Sequence, residues 1–106
     1  MKQGTKTLTE PIHPGEILAD ELEAIGMTAA ALAVRIDVPK NRLYEIINER
    51  RSMTADTALR LGVFFNTGPS LWMNLQKSYE LDVAAQRIGD NLKFIKPFNG
   101  NSVASA

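Results

Sequence analysis

Apolar residues recur along this chain at helical spacing, in blocks divided by glycine, proline or short polar runs, and no block alternates as a half-buried strand would. Ile17, Leu18, Leu22 and Ile25 form the first stripe. Pro14 fits its first helical position, where a missing N–H is harmless, Glu16 sits near the positive end of the dipole, and Gly26 supplies the stop. Leu32, Ala33 and Ile36 predict a second, short helix capped by Thr28. Asp37 and Val38 break it. Pro39, whose fixed φ suits a helix start, opens a third helix with a buried stripe of Leu43, Ile46 and Ile47, and Asn48 suits the left-handed step that ends it.

Thr54 caps a fourth helix with Asp56 in its first turn; Ala58, Leu61 and Phe65 make its stripe and Leu59 widens it. Gly62 lies mid-helix at a cost of about 1 kcal/mol against Ala, which a close helix crossing accounts for. Asn66 to Gly68 interrupts the chain and Pro69 restarts it at a first helical position. Leu71, Trp72, Leu75, Tyr79 and Val83 then line a fifth helix reaching Ala84, and Ile88, Leu92 and Ile95 predict a short sixth element, broken at Gly89 or ending before Pro97. These elements describe an all-α, single-domain protein, since 106 residues can enclose a core without metal or disulfide. Residues 1–11 read as a flexible lead, 12–84 as the domain, 85–98 as a helical extension and 99–106 as a disordered tail.

The second and third helices are joined by a turn short enough to make a helix-turn-helix, the arrangement that lays one helix across base edges while the other braces on the backbone. The outer face of the third helix carries Lys40, Asn41, Arg42, Tyr44, Glu45 and Asn48, a dense set of long hydrogen-bonding side chains. Thr28, with the open N–H groups behind it, makes a seat for a phosphate, and Arg50 and Arg51 can clamp the nucleic-acid backbone. Helical bundles that never meet nucleic acid contain the same corner, so the pattern alone leaves DNA binding and a protein-only adaptor both open.

Charge sharpens this only in its distribution. The formal net charge is zero, which argues against an indiscriminate nucleic-acid coat. Acid collects before residue 25, in Glu10, Glu16, Asp20, Glu21 and Glu23, whereas Arg35, Lys40, Arg42, Arg50, Arg51 and Arg60 make the middle modestly basic. The absence of cysteine removes thiol chemistry and fits a reducing cytosol, and no stretch approaches the roughly 18 apolar residues that span a bilayer, so a cytoplasmic protein with no membrane partner is expected. His13, the single histidine, stands at a helix start, where a capping or packing role outweighs catalysis. No nucleophile and base can be paired, and an enzyme, a metal site or a cofactor is not expected. Trp72 reads as the largest core filler, with Met73 and Tyr79 left for a partner.

With those residues in view, the chain resembles the HigA-like antitoxins, also called the VapI or virulence-associated protein I group, among the Xre-type helix-turn-helix regulators. The resemblance covers roughly residues 11–97 and rests on HPGEIL at 13–18, VPKNRLYEIINERR at 38–51, TADTALRL at 54–61, LWMNLQKSYEL at 71–81 and IKPF at 95–98. It implies a five-helix, lambda-repressor-like domain that binds double-stranded operator DNA as a homodimer, represses its own promoter and neutralises a HigB-type, mRNA-cleaving toxin. It further implies that Lys40, Asn41, Tyr44 and Glu45 face bases and that Thr28, Arg42, Asn48, Arg50 and Arg51 contact the DNA backbone. The chemistry agrees: Lys40 can donate to guanine, Asn41 can pair bidentately with adenine, Glu45 can accept from cytosine N4, and Tyr44 can pack on a thymine methyl.

The chain departs from that pattern where Asp37, Glu49 and Asn66 stand at positions often held by glycine. Asn66 is a reasonable left-handed cap, while the two acids bear on DNA affinity. A solitary regulator without a toxin is the alternative within the same fold. A twofold partner, with its seam on the fifth helix and residues 85–97, would set the recognition helices about 34 Å apart over an inverted repeat.

Overall fold

A computed structural model describes residues 10–99; the expectations for residues 1–9 and 100–106 lie outside the described residues. Those described form five α-helices and no strand: α1 (Pro14–Ile25), α2 (Ala29–Ile36), α3 (Lys40–Ile47), α4 (Ala55–Phe64) and α5 (Ser70–Ile88), followed by a 3-10 segment, Gly89–Phe94. No helix among them is long and apolar enough to cross a membrane.

The helices close around Leu18 and Leu22 of α1, Leu32, Ala33 and Ile36 of α2, Leu43 and Ile46 of α3, Ala58 and Leu61 of α4, and Trp72 of α5. Each large member, fully withdrawn from water, stabilises the fold by about 1.5–3 kcal/mol. Met53, from the loop before α4, joins them, and its backbone N–H donates to the Gln76 side chain at 2.7 Å. Gln76 in turn donates to Glu80 at 2.8 Å, which satisfies a polar group that α5 has taken into the interior.

Caps account for the element limits. Thr28 Oγ1 accepts the Ala31 N–H at 3.1 Å, and Gly26 ends α1 with φ of 67°. Asp37 ends α2 in the left-handed region, with φ of 60°. The step that ends α3 differs from the expected one: Asn48 keeps φ of −84° and Glu49 turns left-handed at 63°, so the strained residue is Glu49. Thr54 occupies the N-cap of α4, but its hydroxyl meets that of Thr57 at 3.4 Å and caps no backbone N–H.

Gly62 is explained by a loop and not by a crossing helix. A Cβ there would collide with the Gly68 carbonyl group and the Pro69 nitrogen, and the Thr67 and Gly68 N–H groups both donate to the Gly62 carbonyl, at 3.0 and 3.1 Å. Pro69 precedes α5 by one residue instead of starting it, and α5 continues four residues past Ala84. Ile25, Leu59 and Leu71, expected on buried stripes, are exposed. Ile25 closes α1 beyond its last packed turn. Leu59 and Leu71 each neighbour a buried residue, Ala58 and Trp72, and one residue is about 100° of helical rotation, enough to face water. The sixth element is a 3-10 segment with no buried side chain.

Candidate nucleic-acid interface

α3 is anchored on one side and open on the other. Leu43 and Ile46 are wholly buried, whereas Lys40, Asn41, Tyr44 and Asn48 are exposed, at spacings of one, four and eight residues that share a helix face. The closing amides of α3 are engaged internally: Asn48 N–H donates to Tyr44, Glu49 to Ile46 and Arg50 to Glu45 carbonyl oxygens. Backbone donors at 48–50 are therefore committed to the helix end, and the side chains of Arg50 and Arg51 are what this loop can offer an anion.

Three of the residues expected on the interface are already paired. Arg51 Nε donates to Glu45 Oε1 at 2.8 Å, joining the loop to α3 with both side chains about half exposed. Arg42, partly buried, donates to Asp56 Oδ1 at 3.2 Å, and that same oxygen accepts Arg60 Nε at 2.8 Å. The Asp56 carboxyl is held below its usual range, first by the Arg60 hydrogen bond and then by the charges of Arg60 and Arg42. Each guanidinium keeps further N–H groups for a phosphate. Thr28 belongs to α2, exposed at its N-cap with its hydroxyl already accepting from Ala31.

The C-terminal end of α3 packs against the first turn of α1. Gly15 packs so closely on the Ile46 carbonyl that any Cβ would overlap it. His13 Nδ1 accepts the Gly15 N–H at 2.8 Å, making it the N-cap of α1, and its ring meets Tyr79 of α5 edge-on at 4.8 Å. Burial pushes the His13 pKa down, opposed by the charge of Glu49 and by a hydrogen bond with the Arg51 backbone. The imidazole is thus a joint between α1, α5 and the loop after α3. Among the described residues no group of three or more His, Cys, Asp or Glu could hold a metal ion.

Residue patterning misses three things. Arg60 reaches from α4 to the carbonyls of Ile36 and Asp37, at 2.9 and 3.3 Å, and so ties down the helix-turn-helix corner. Asp56 and Arg60, four apart on one helix, are legible as a pair, but nothing in the spacing says that Arg42 joins them. Gln76 and Met53, the third, meet across 23 residues.

No family model matches the chain. It is 47% identical to virulence-associated protein I of Dichelobacter nodosus over 76 residues, covering 71% of this chain and 70% of that protein. An addiction module antidote protein of the HigA family from Coxiella burnetii is 47% identical and superposes with a TM-score of 0.81, covering 84% of this chain and 99% of that one. Pseudomonas aeruginosa antitoxin HigA, solved with the higBA promoter, is 42% identical with a TM-score of 0.79, over 84% and 99% of the two chains. Identity of this order over most of both lengths, on the same five helices, establishes that the chain belongs to the HigA-like, VapI-type family of helix-turn-helix antitoxins, which are regulators and not enzymes.

Proposed function

We propose that this protein is a HigA-type antitoxin that binds its own operator through α3 and represses the promoter from which it is made. The observation that carries this is the ridge of Lys40, Asn41 and Tyr44, held outward by the buried Leu43 and Ile46 beneath it. An apolar anchor fixes where the ridge stands, and donors of these kinds are what base edges in a major groove pair with. The promoter bound by the Pseudomonas aeruginosa relative supports the same reading. Lys40, Asn41, Tyr44 and Glu45 face the bases, while Thr28, Arg42, Asn48, Arg50 and Arg51 face phosphates. Glu45 comes to DNA with Arg51 in hand, so a cytosine amine at that position has to share the carboxylate with the guanidinium.

The protein acts as a homodimer. Leu81, Ile88, Leu92, Phe94, Ile95 and Phe98 are all exposed on the far end of α5 and the segment after it, a concentration of large apolar side chains that a second copy would cover. Its protein partner is a HigB-type toxin, by membership of the family.

A mobility-shift assay with the DNA upstream of its own gene, with and without the product of the adjacent gene, tests these points together. The expected result is a specific shift that a random duplex of equal length does not compete away, and a change of that shift when the neighbour's product is added. Equal competition by random DNA would refute operator recognition, and a neighbour's product that neither binds nor alters the shift would refute the toxin partner.

A further inference from the structure

A chain of charge-assisted hydrogen bonds runs over the surface from α2 to α3 without entering the core. It begins at the Ile36 and Asp37 carbonyls, which belong to the end of α2 where no intrahelical donor remains. Arg60 Nη1 supplies that donor at 2.9 and 3.3 Å, while its Nε holds Asp56 Oδ1 at 2.8 Å. Asp56 Oδ1 then accepts Arg42 Nη1, on α3, at 3.2 Å.

The corner it spans is short and contains the left-handed Asp37, so the orientation of α3 about that corner is the coordinate these bonds restrain. The side chains involved are between 29% and 59% exposed, and ion pairs this open add little to stability. Their consequence is geometric. Reading a base edge needs donor and acceptor within hydrogen-bond distance and angle, whereas generic attraction to phosphates does not. A carboxylate beside a DNA-facing helix also opposes polyanion binding in general, which makes its presence at position 56 costly unless it improves selectivity.

We infer that Asp56 is a positioning residue for operator discrimination: it holds Arg42, with Arg60 tying both to the α2–α3 corner, and so fixes how α3 enters the groove without itself meeting DNA. This rests on the assignment of α3 as the recognition helix.

The test compares the full chain with Asp56→Asn, Arg42→Gln and the double variant. Dissociation constants are measured on the operator and on a scrambled duplex of the same length, with helicity followed by circular dichroism. The expected result is that Asp56→Asn lowers the ratio of operator to scrambled affinity about tenfold, with helicity unchanged and scrambled binding equal or tighter. Arg42→Gln also removes a phosphate contact, so it weakens binding to both duplexes while lowering the ratio to a similar extent; the ratio of the double variant is no lower than that of either, and Asp56→Glu recovers part of the loss. Equal weakening on both duplexes or an unchanged ratio for Asp56→Asn, or ratio losses that multiply in the double variant, would overturn the inference while leaving operator recognition intact. Wild-type protein that does not distinguish the two duplexes would overturn both.

Discussion

The recognition helix candidate α3 and the outer half of α5 treat their apolar residues in opposite ways. In the head, Leu18, Leu32, Leu43, Ile46 and Leu61 are wholly buried around Trp72, and what α3 leaves outside is polar. Beyond Gln76 the balance reverses: Leu81, Phe94, Ile95 and Phe98 are 64–81% exposed, and few side chains of α5 are covered. A protein that shows amides and cations at one end and leucine and phenylalanine at the other presents two surfaces with different chemistry. The first suits a polyanion with readable edges, the second another apolar surface. The contrast can be broken from either end.

The largest expected effect is on the head. Trp72→Ala empties the largest core position and should cost about 3–5 kcal/mol, read as a lowered denaturant midpoint with unchanged slope. A loss under about 1 kcal/mol would mean that the site collapses or was never close-packed. At the other end, Phe94→Asp with Ile95→Asp should leave the midpoint of a dilute sample in place but shift sedimentation from dimer to monomer. Operator affinity then falls by roughly a hundredfold as two linked half-site contacts become one. Monomeric wild-type protein, or a dimeric double variant, would remove this segment from the seam.

Asn41→Ala acts on the polar surface and should cost about 1–3 kcal/mol at one base position only. Equal loss on all sequences would make Asn41 a backbone contact. Arg50→Ala should weaken operator and random DNA alike and lower the salt slope by roughly one unit, and an unchanged slope would assign it a structural role.

The smallest effect is at the joint between the two regions. Burial keeps His13 neutral in the folded protein below its ordinary pKa of 6.5, while the unfolded chain takes up a proton there. The unfolded state therefore binds more protons as pH falls below that value, and folding stability should decrease on the acid side and be unaffected above it. His13→Asn retains an N-cap oxygen and lacks this titration, so its thermal midpoint should fall less than that of the wild type between about pH 7.5 and 5.5. Parallel falls would assign the acid sensitivity to other groups.

The helices and most of their ends were legible because each limit is a local matter. Pro14, Gly26, Thr28 and Asn66 do at their positions what their backbone chemistry requires, and the face shared by Lys40, Asn41 and Tyr44 follows from 3.6 residues per turn. Which way a helix is rotated in its packing is not local. Leu59 and Leu71 satisfy the periodicity yet face water, because their neighbours Ala58 and Trp72 are the ones that face the core. The exposed face of α3 was legible as a row of side chains, but the bonds those side chains make were not. The pairing of Arg42 with Asp56 spans 14 residues and that of Arg51 with Glu45 crosses a left-handed turn. Spacing along the chain does not specify either, and both change how the arginines are presented. The place of the left-handed turn itself had a signal, since the resemblance sets Glu49 against a glycine, which would be unstrained there.

Titration of isotope-labelled protein with operator DNA, followed by amide chemical shifts, tests the assignment of α3 most directly. The expected result is that the largest changes map to Lys40, Asn41, Tyr44 and the loop through Arg51, and that they are much smaller with a scrambled duplex. Changes confined to α5 and the segment beyond it, or identical patterns with both duplexes, would contradict it.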